Sequence, residues 1–227
     1  MVERVVMKSI IFAHMKKKGN IEVPMGEKTV LLHTCCAPCS SAIIEAMMQN
    51  GITPVIYYCN PNIYPLEEYE IRKEECTRYA KALGLEIVDA DYDHENWLEA
   101  MMGMENEPER GGRCLRCFKL RLFRTAQYAR QRGFKVITTT LASSRWKSLD
   151  QINEAGHWAV SKANDVIETV NNLGEETIIP PDDCQVIWWD QNWRKGGLQE
   201  RRNQILKEYD FYNQLYCGCE FSMRKDD

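Results

Sequence analysis

The stretch Leu31-Leu32-His33-Thr34-Cys35-Cys36-Ala37-Pro38-Cys39-Ser40-Ser41 decides the fold. The apolar run over 29–32 reads as a short buried strand. It runs into two adjacent cysteines and is broken at Pro38. Ser40 or Ser41 is placed to cap a helix over 42–49, which Asn50-Gly51 stops. Cys35, Cys36 and Cys39 therefore fall in a strand-to-helix turn. In an open parallel sheet such turns lie at the carboxyl edge, where ligands bind.

The pattern repeats outward from this unit. A second strand over 52–59 runs into the turn-rich Asn60-Pro61-Asn62-Ile63-Tyr64-Pro65. A charged helix over 67–83 is closed by Gly84. A third strand over 85–88 ends in Asp89-Ala90-Asp91-Tyr92-Asp93-His94, and a short helix follows over 96–102. A loop over 105–112 delivers Cys114-Leu115-Arg116-Cys117 to a helix over 118–132. A fourth strand over 135–140 and a helix over 148–163 complete the alternation. Parallel strands need helical crossovers, so the expected class is α/β: a Rossmann-like parallel sheet flanked by helices.

Residues 164–193 carry Gly174, Pro180-Pro181 and Trp188-Trp189 and show no clear period. A last helix over 199–209 precedes Tyr216-Cys217-Gly218-Cys219. The expected organisation is an N-terminal extension over 1–28, an α/β metal-binding core over 29–163, and a mostly helical region over 164–227. That last region carries the Cys-Gly-Cys motif, closes over the site and forms one domain with the core.

The 227 residues, 44% hydrophobic, suffice for one large core. No apolar run is long enough for a membrane span, and no compact apolar core precedes a cleavage site. A cytoplasmic location is expected. The net charge of -4 does not advertise nucleic-acid binding, but a local basic face is compatible with it. Ten cysteines in such a chain point to metal or redox chemistry.

Cys114 and Cys117 open a helix, where two thiolates can ligate one centre. Together with Cys35 and Cys36 they offer four thiolates at one sheet edge, suiting a zinc ion or an iron–sulfur cluster. An adjacent Cys-Cys pair is an awkward zinc knuckle, which favours the cluster. Cys217-Gly218-Cys219 reads as a redox dithiol, or equally as two further ligands or two reduced thiols. Cys59 and Cys76 read as buried packing thiols. Cys39 suits a place near the site and a free thiol at a helix start equally well. His33 reads as a hydrogen-bonded core histidine. Trp188, Trp189 and Trp193 suit either core packing or stacking on an unpaired base.

These residues resemble a known family, the QueH-type epoxyqueuosine reductases. The resemblance rests on Leu32 to Ser41, Tyr58-Cys59-Asn60-Pro61-Asn62-Ile63-Tyr64-Pro65 and Gly111-Gly112-Arg113-Cys114-Leu115-Arg116-Cys117-Phe118. Further on it rests on Thr138-Thr139-Thr140-Leu141, Gln151-Ile152-Asn153-Glu154-Ala155-Gly156, Arg194-Lys195-Gly196-Gly197 and Tyr216-Cys217-Gly218-Cys219. The ordered set is specific where any one motif is weak. It implies reduction of epoxyqueuosine to queuosine at the wobble position of tRNAs for Tyr, His, Asn and Asp, without cobalamin. It implies a [4Fe–4S] cluster on Cys35, Cys36, Cys114 and Cys117 and a redox-active disulfide between Cys217 and Cys219. A second metal ion, iron, is associated with the family beside the cluster.

Removing the epoxide oxygen takes two electrons and two protons, which a cluster and a dithiol together can carry. By position, Asp91 and Asp93 are candidate proton donors. Arg194, Lys195, Arg201 and Arg202 are candidate phosphate contacts. The expected partners are tRNA carrying epoxyqueuosine and an electron donor that the sequence does not identify. Two other readings stand beside this one: a zinc-stabilised nucleic-acid-binding module, and a cluster-dependent sulfur-transfer enzyme acting on tRNA.

Overall fold

The computed structural model describes residues 21–165 and 185–223. Positions 1–20 of the N-terminal extension and positions 166–184 of the irregular stretch lie outside the described residues.

Five parallel strands form one sheet in the order β3-β2-β1-β4-β5. They are β1 (Thr29–His33), β2 (Thr53–Tyr58), β3 (Ile87–Asp89), β4 (Val136–Thr139) and β5 (Ile187–Trp188). Among the described residues six α-helices accompany them: α1 (Ala37–Gln49), α2 (Leu66–Leu83), α3 (His94–Met101), α4 (Gly112–Arg132), α5 (Leu149–Asp165) and α6 (Leu198–Glu208). Two packed groups, α1 with α2 and α6, and α4 with α3 and α5, supply the two helical layers that a parallel sheet needs. The strands accordingly read as continuous apolar runs: Val30, Leu31 and Leu32 are fully buried.

β1 is the centre of the arrangement. Leu32 is in register with Ile56 of β2 on one side and with Thr138 of β4 on the other. The chain builds outward from β1 to β3, then returns to add β4 and β5 on the opposite side. The crevice beyond the carboxyl ends of β1 and β4 is therefore the topological switch point, where open α/β sheets bind ligands. The turn that follows β1 carries Cys35 and Cys36.

Two local expectations are corrected. α1 begins at Ala37 rather than at position 42, with Cys36 in extended backbone as its N-cap. Pro38 sits in the first turn, where no amide donor is required, so it starts the helix instead of merely ending the strand. Neither Ser40 nor Ser41 is the cap; the Ser40 hydroxyl donates back to the carbonyls of Cys36 (3.0 Å) and Ala37 (3.2 Å). The second correction is β5, which hid in the irregular stretch because it is only two residues long. Asn164 holds its approach by pairing with both the N–H and the C=O of Val186, each at 3.0 Å. Gly156 of α5 lets it close on the helix, because a Cβ there would lie 2.2 Å from the Trp188 ring. Trp188, Trp189 and Trp193 are buried in the core, which settles their role as packing.

A thiol-lined cavity at the switch point

The turn after β1 is fixed before any ligand arrives. His33 bridges neighbouring strands, with Nδ1 2.7 Å from the Thr139 hydroxyl and Nε2 3.0 Å from the Cys59 carbonyl. Burial, with Arg121 nearby, lowers its pKa to about 3, so it stays neutral. The Cys35 amide donates to Thr140 Oγ1 at 3.2 Å. The sulfurs of Cys35, Cys36 and Cys39 all lie within 4.8 Å of one another, with Cys35 and Cys36 3.8 Å apart. Hydrogen bonds from Cys36 and Cys39 hold the Cys35 thiol well below its ordinary range. In return Cys36 is pushed far up and Cys39 up to about 12, both chiefly through their bonds to Cys35. Gln214 approaches from the C-terminal segment, its Nε2 donating to Cys36 Sγ at 2.9 Å.

The opposite wall is the start of α4. The Arg110 amide donates to Cys114 Sγ at 3.3 Å. Cys117, one turn on, is buried in a small cluster with Trp97, Met101 and Cys219. Burial raises both thiols. Arg121, a further turn along and 2% exposed, donates to the Cys59 carbonyl at 3.2 Å and to Asn60 Oδ1. Asn60 in turn donates to the Thr34 carbonyl at 2.9 Å. A permanent cation is thereby fixed beneath the thiols; burial opposes its charge, and the thiols of Cys117, Cys35 and Cys217 favour it. Half-buried Lys147 follows the same logic, with burial opposed by Cys217, Cys35 and Cys39 and its pKa raised on balance.

The third wall is the loop of Cys217 and Cys219. Both are free thiols in this structure, Cys217 half-buried and Cys219 buried. Burial raises Cys219 to about 12. Gly218 between them has φ +107°, and a Cβ there would meet Ile63 at 2.9 Å and Arg72 Nη1 at 3.0 Å. Only glycine fits both conditions. Arg72, buried and paired with Glu68 at 2.6 Å, donates to the carbonyls of Cys217 (3.2 Å) and Tyr216 (3.3 Å). The Tyr64 amide donates to the Gly218 carbonyl at 2.9 Å.

These walls enclose a cavity of about 770 Å³ lined by Cys35, Cys39, Cys114, Cys217 and Cys219, among others. Cys36 and Cys117 stand behind the lining, the first against Cys35 and the second against Cys219. Cys39 joins Cys35 and Cys36, while Cys59 and Cys76 are buried in the core. Soft thiolate donors gathered on two facing elements, over a buried cation, suit a thiophilic metal centre.

The other expected site residues are placed less uniformly. Asp91 and Asp93 are not among the cavity's lining residues. Asp93 Oδ1 instead accepts from Asn96 at 2.7 Å, at the start of α3, and Arg124 lies 3.6 Å away. Arg202 lines the cavity, whereas Arg201 is held by Glu45 and Glu208 in pairing α6 to α1. Arg194 donates to the Lys147 carbonyl at 2.8 Å, and Lys195 is exposed. Arg72, Arg110, Arg121, Lys147 and Gln214 were not singled out from the sequence, because single polar residues in charged helices and loops carry no periodic signal. The adjacency of Arg110 to the Cys114 motif was the one available hint.

A sequence model described as "Epoxyqueuosine reductase QueH" matches residues 30–177 and 159–225. A protein of Histophilus somni named epoxyqueuosine reductase QueH is 47% identical over 207 residues, covering 91% of this chain and 77% of that one. Its namesake in Haemophilus influenzae is also 47% identical, over 91% and 76% of the two chains. The Thermotoga maritima protein of the same name is 33% identical over 86% and 90%. With motifs, fold and relatives in agreement, the chain belongs to the epoxyqueuosine reductase QueH family.

Proposed function

We propose that this chain reduces epoxyqueuosine to queuosine at the wobble position of tRNA. Its resident cofactor would be a [4Fe–4S] cluster on Cys35, Cys36, Cys114 and Cys117, with Cys217 and Cys219 as the redox dithiol. The observation that carries the reading is the convergence of Cys35, Cys114, Cys217 and Cys219 on one cavity. When bound, the cluster would supply one-electron transfer and Lewis acidity. Cys39, within 4.8 Å of the Cys35 and Cys36 sulfurs, is available to a second, adjacent metal ion.

The dithiol balances the reaction. Oxidation of the Cys217 and Cys219 thiols to a disulfide releases two electrons and two protons. Both epoxide C–O bonds break, a carbon–carbon double bond forms, and the oxygen leaves as water. Cys219, raised by burial, holds its proton until that step. An external electron donor must then restore the dithiol. Arg121 and Lys147 keep positive charge beside the thiols, which favours an electron-rich centre there. Asp91 and Asp93 stand off the cavity, so the dithiol is the better-placed proton source. Among the described residues no helix is long and apolar enough to cross a membrane.

Absorption and Mössbauer spectra of protein purified without oxygen, with iron and sulfide counts, test the cofactor. Brown protein with a cubane signature is expected. Colourless protein that takes up only zinc after anaerobic reconstitution contradicts the cluster and favours a zinc-stabilised binding module. A cubane held by only three of the four cysteines would favour sulfur transfer instead.

A further inference from the structure

The loop between β4 and α5 holds Trp146, whose side chain is 78% exposed on the lining of the thiol cavity. Of the other tryptophans, Trp97, Trp188, Trp189 and Trp193 are buried, and Trp158, 38% exposed, packs against Phe123 and Lys119. The exposure of Trp146 does not come from a loose loop. Its own amide donates to Ser144 Oγ at 3.3 Å. Arg110 reaches over from the loop before α4, donating to the carbonyls of Trp146 (2.9 Å) and Arg145 (3.0 Å). Arg194 does the same from the loop before α6, donating to the Lys147 carbonyl at 2.8 Å. A braced backbone thus presents a large flat aromatic to solvent beside the site, which calls for a partner.

The surroundings say what kind. Arg110, Arg145, Lys147 and Arg202 line the same cavity as Trp146. Arg110 and Arg194 both donate into the backbone of 145–147, which gathers their guanidinium groups beside Arg145; burial and these like charges lower the Arg194 guanidinium. A phosphate would relieve that crowding. A flat ring beside clustered guanidinium groups is the combination that binds single-stranded nucleic acid, through stacking and backbone charge.

We infer that Trp146 is the stacking platform for an unpaired RNA base next to the reacting nucleoside, with Arg110, Arg145 and Arg194 taking the adjoining phosphates. The inference rests on the tRNA reading of the site. It adds the residue that positions the loop, and it shifts the basic contact away from Arg201, which is neutralised by Glu45 and Glu208.

The test uses the iron-loaded full chain and a synthetic RNA hairpin with the anticodon-loop sequence of a tRNA for Tyr. A fully paired duplex of equal length is the control. The hairpin should quench tryptophan fluorescence, and the Trp146→Phe variant should lose that component while keeping most of the affinity. Trp146→Ala should bind the hairpin about tenfold more weakly or worse. Both variants should bind the duplex as the parent does and keep its iron content. Equal hairpin affinity of parent and Trp146→Ala, or quenching that persists in Trp146→Phe, overturns the platform even if epoxyqueuosine in tRNA is still reduced. Trp146-dependent quenching in a protein that cannot reduce epoxyqueuosine leaves the platform standing and removes the reductase reading.

Discussion

Two of the three sets of thiols around the cavity are held by opposite means. Cys35, Cys36 and Cys39 sit where the central strand meets a helix, so sheet register and helix geometry place them. Cys217 and Cys219 sit in irregular chain, placed by a glycine with φ +107° and by the guanidinium of Arg72. The first arrangement resists movement because moving it would break the sheet. The second lies off the sheet in irregular chain, tied down at Cys219, which packs with Trp97, Met101 and Cys117. That difference suits a fixed cofactor on one side and, on the other, a pair that changes its bonding in each catalytic cycle.

The sharpest way to break this comparison is to remove a thiol from each side. Cys35→Ser should lose bound iron and all reduction, whereas Cys217→Ser and Cys219→Ser should keep iron and lose turnover. Iron and sulfide counts beside a tRNA assay decide it; loss of iron from the Cys217 or Cys219 variants would make them ligands instead.

The next largest effect concerns the support of the loop. Arg72→Gln strands the buried Glu68 carboxylate and removes donors to two carbonyls. It should cost about 3 kcal/mol of stability and change the thiol–disulfide potential of Cys217 and Cys219. Thermal unfolding and equilibration with a glutathione buffer measure the two effects separately. Gly218→Ala should be milder, about 2 kcal/mol, from left-handed strain and the contact with Ile63. Iron content should stay at the parent level, since the strand–helix side is untouched. Reduced iron loading in Gly218→Ala would show that the two sides are not independent.

The smallest effect separates two neighbouring arginines. Arg202→Ala should lower the salt dependence of tRNA binding by about one unit of slope, since Arg202 lines the cavity. Arg201→Ala should leave that slope unchanged, because its charge is already answered by two carboxylates. Titrations at several salt concentrations distinguish them.

How much of this was legible in the sequence follows from the same contrast. Strands β1 to β4 announced themselves as apolar runs between helices, and the cysteine pair at the end of β1 located the switch point. Gly84 closed its helix as read, in the left-handed conformation that terminates a helix. What stayed hidden depends on contacts distant in sequence. β5 is two residues long, and its closeness to α5 rests on Gly156 and Trp188. The joining of Cys39 to Cys35 and Cys36 required the early start of α1. Arg72 and Cys217 are 145 residues apart, so no local pattern links them. Asp91 and Asp93 were chosen for lying after a strand. β3 is at the edge of the sheet, and neither residue lines the cavity.

The most direct test of the central claim is a nucleoside analysis by mass spectrometry. Anaerobic, iron-loaded protein with its dithiol reduced is mixed with tRNA bearing epoxyqueuosine. The account predicts loss of one oxygen to give queuosine, with disulfide between Cys217 and Cys219 appearing in step with product when no further reductant is supplied. Unchanged epoxyqueuosine with a fully loaded cluster, or product formed at the parent's rate by a Cys217→Ser variant, would contradict it.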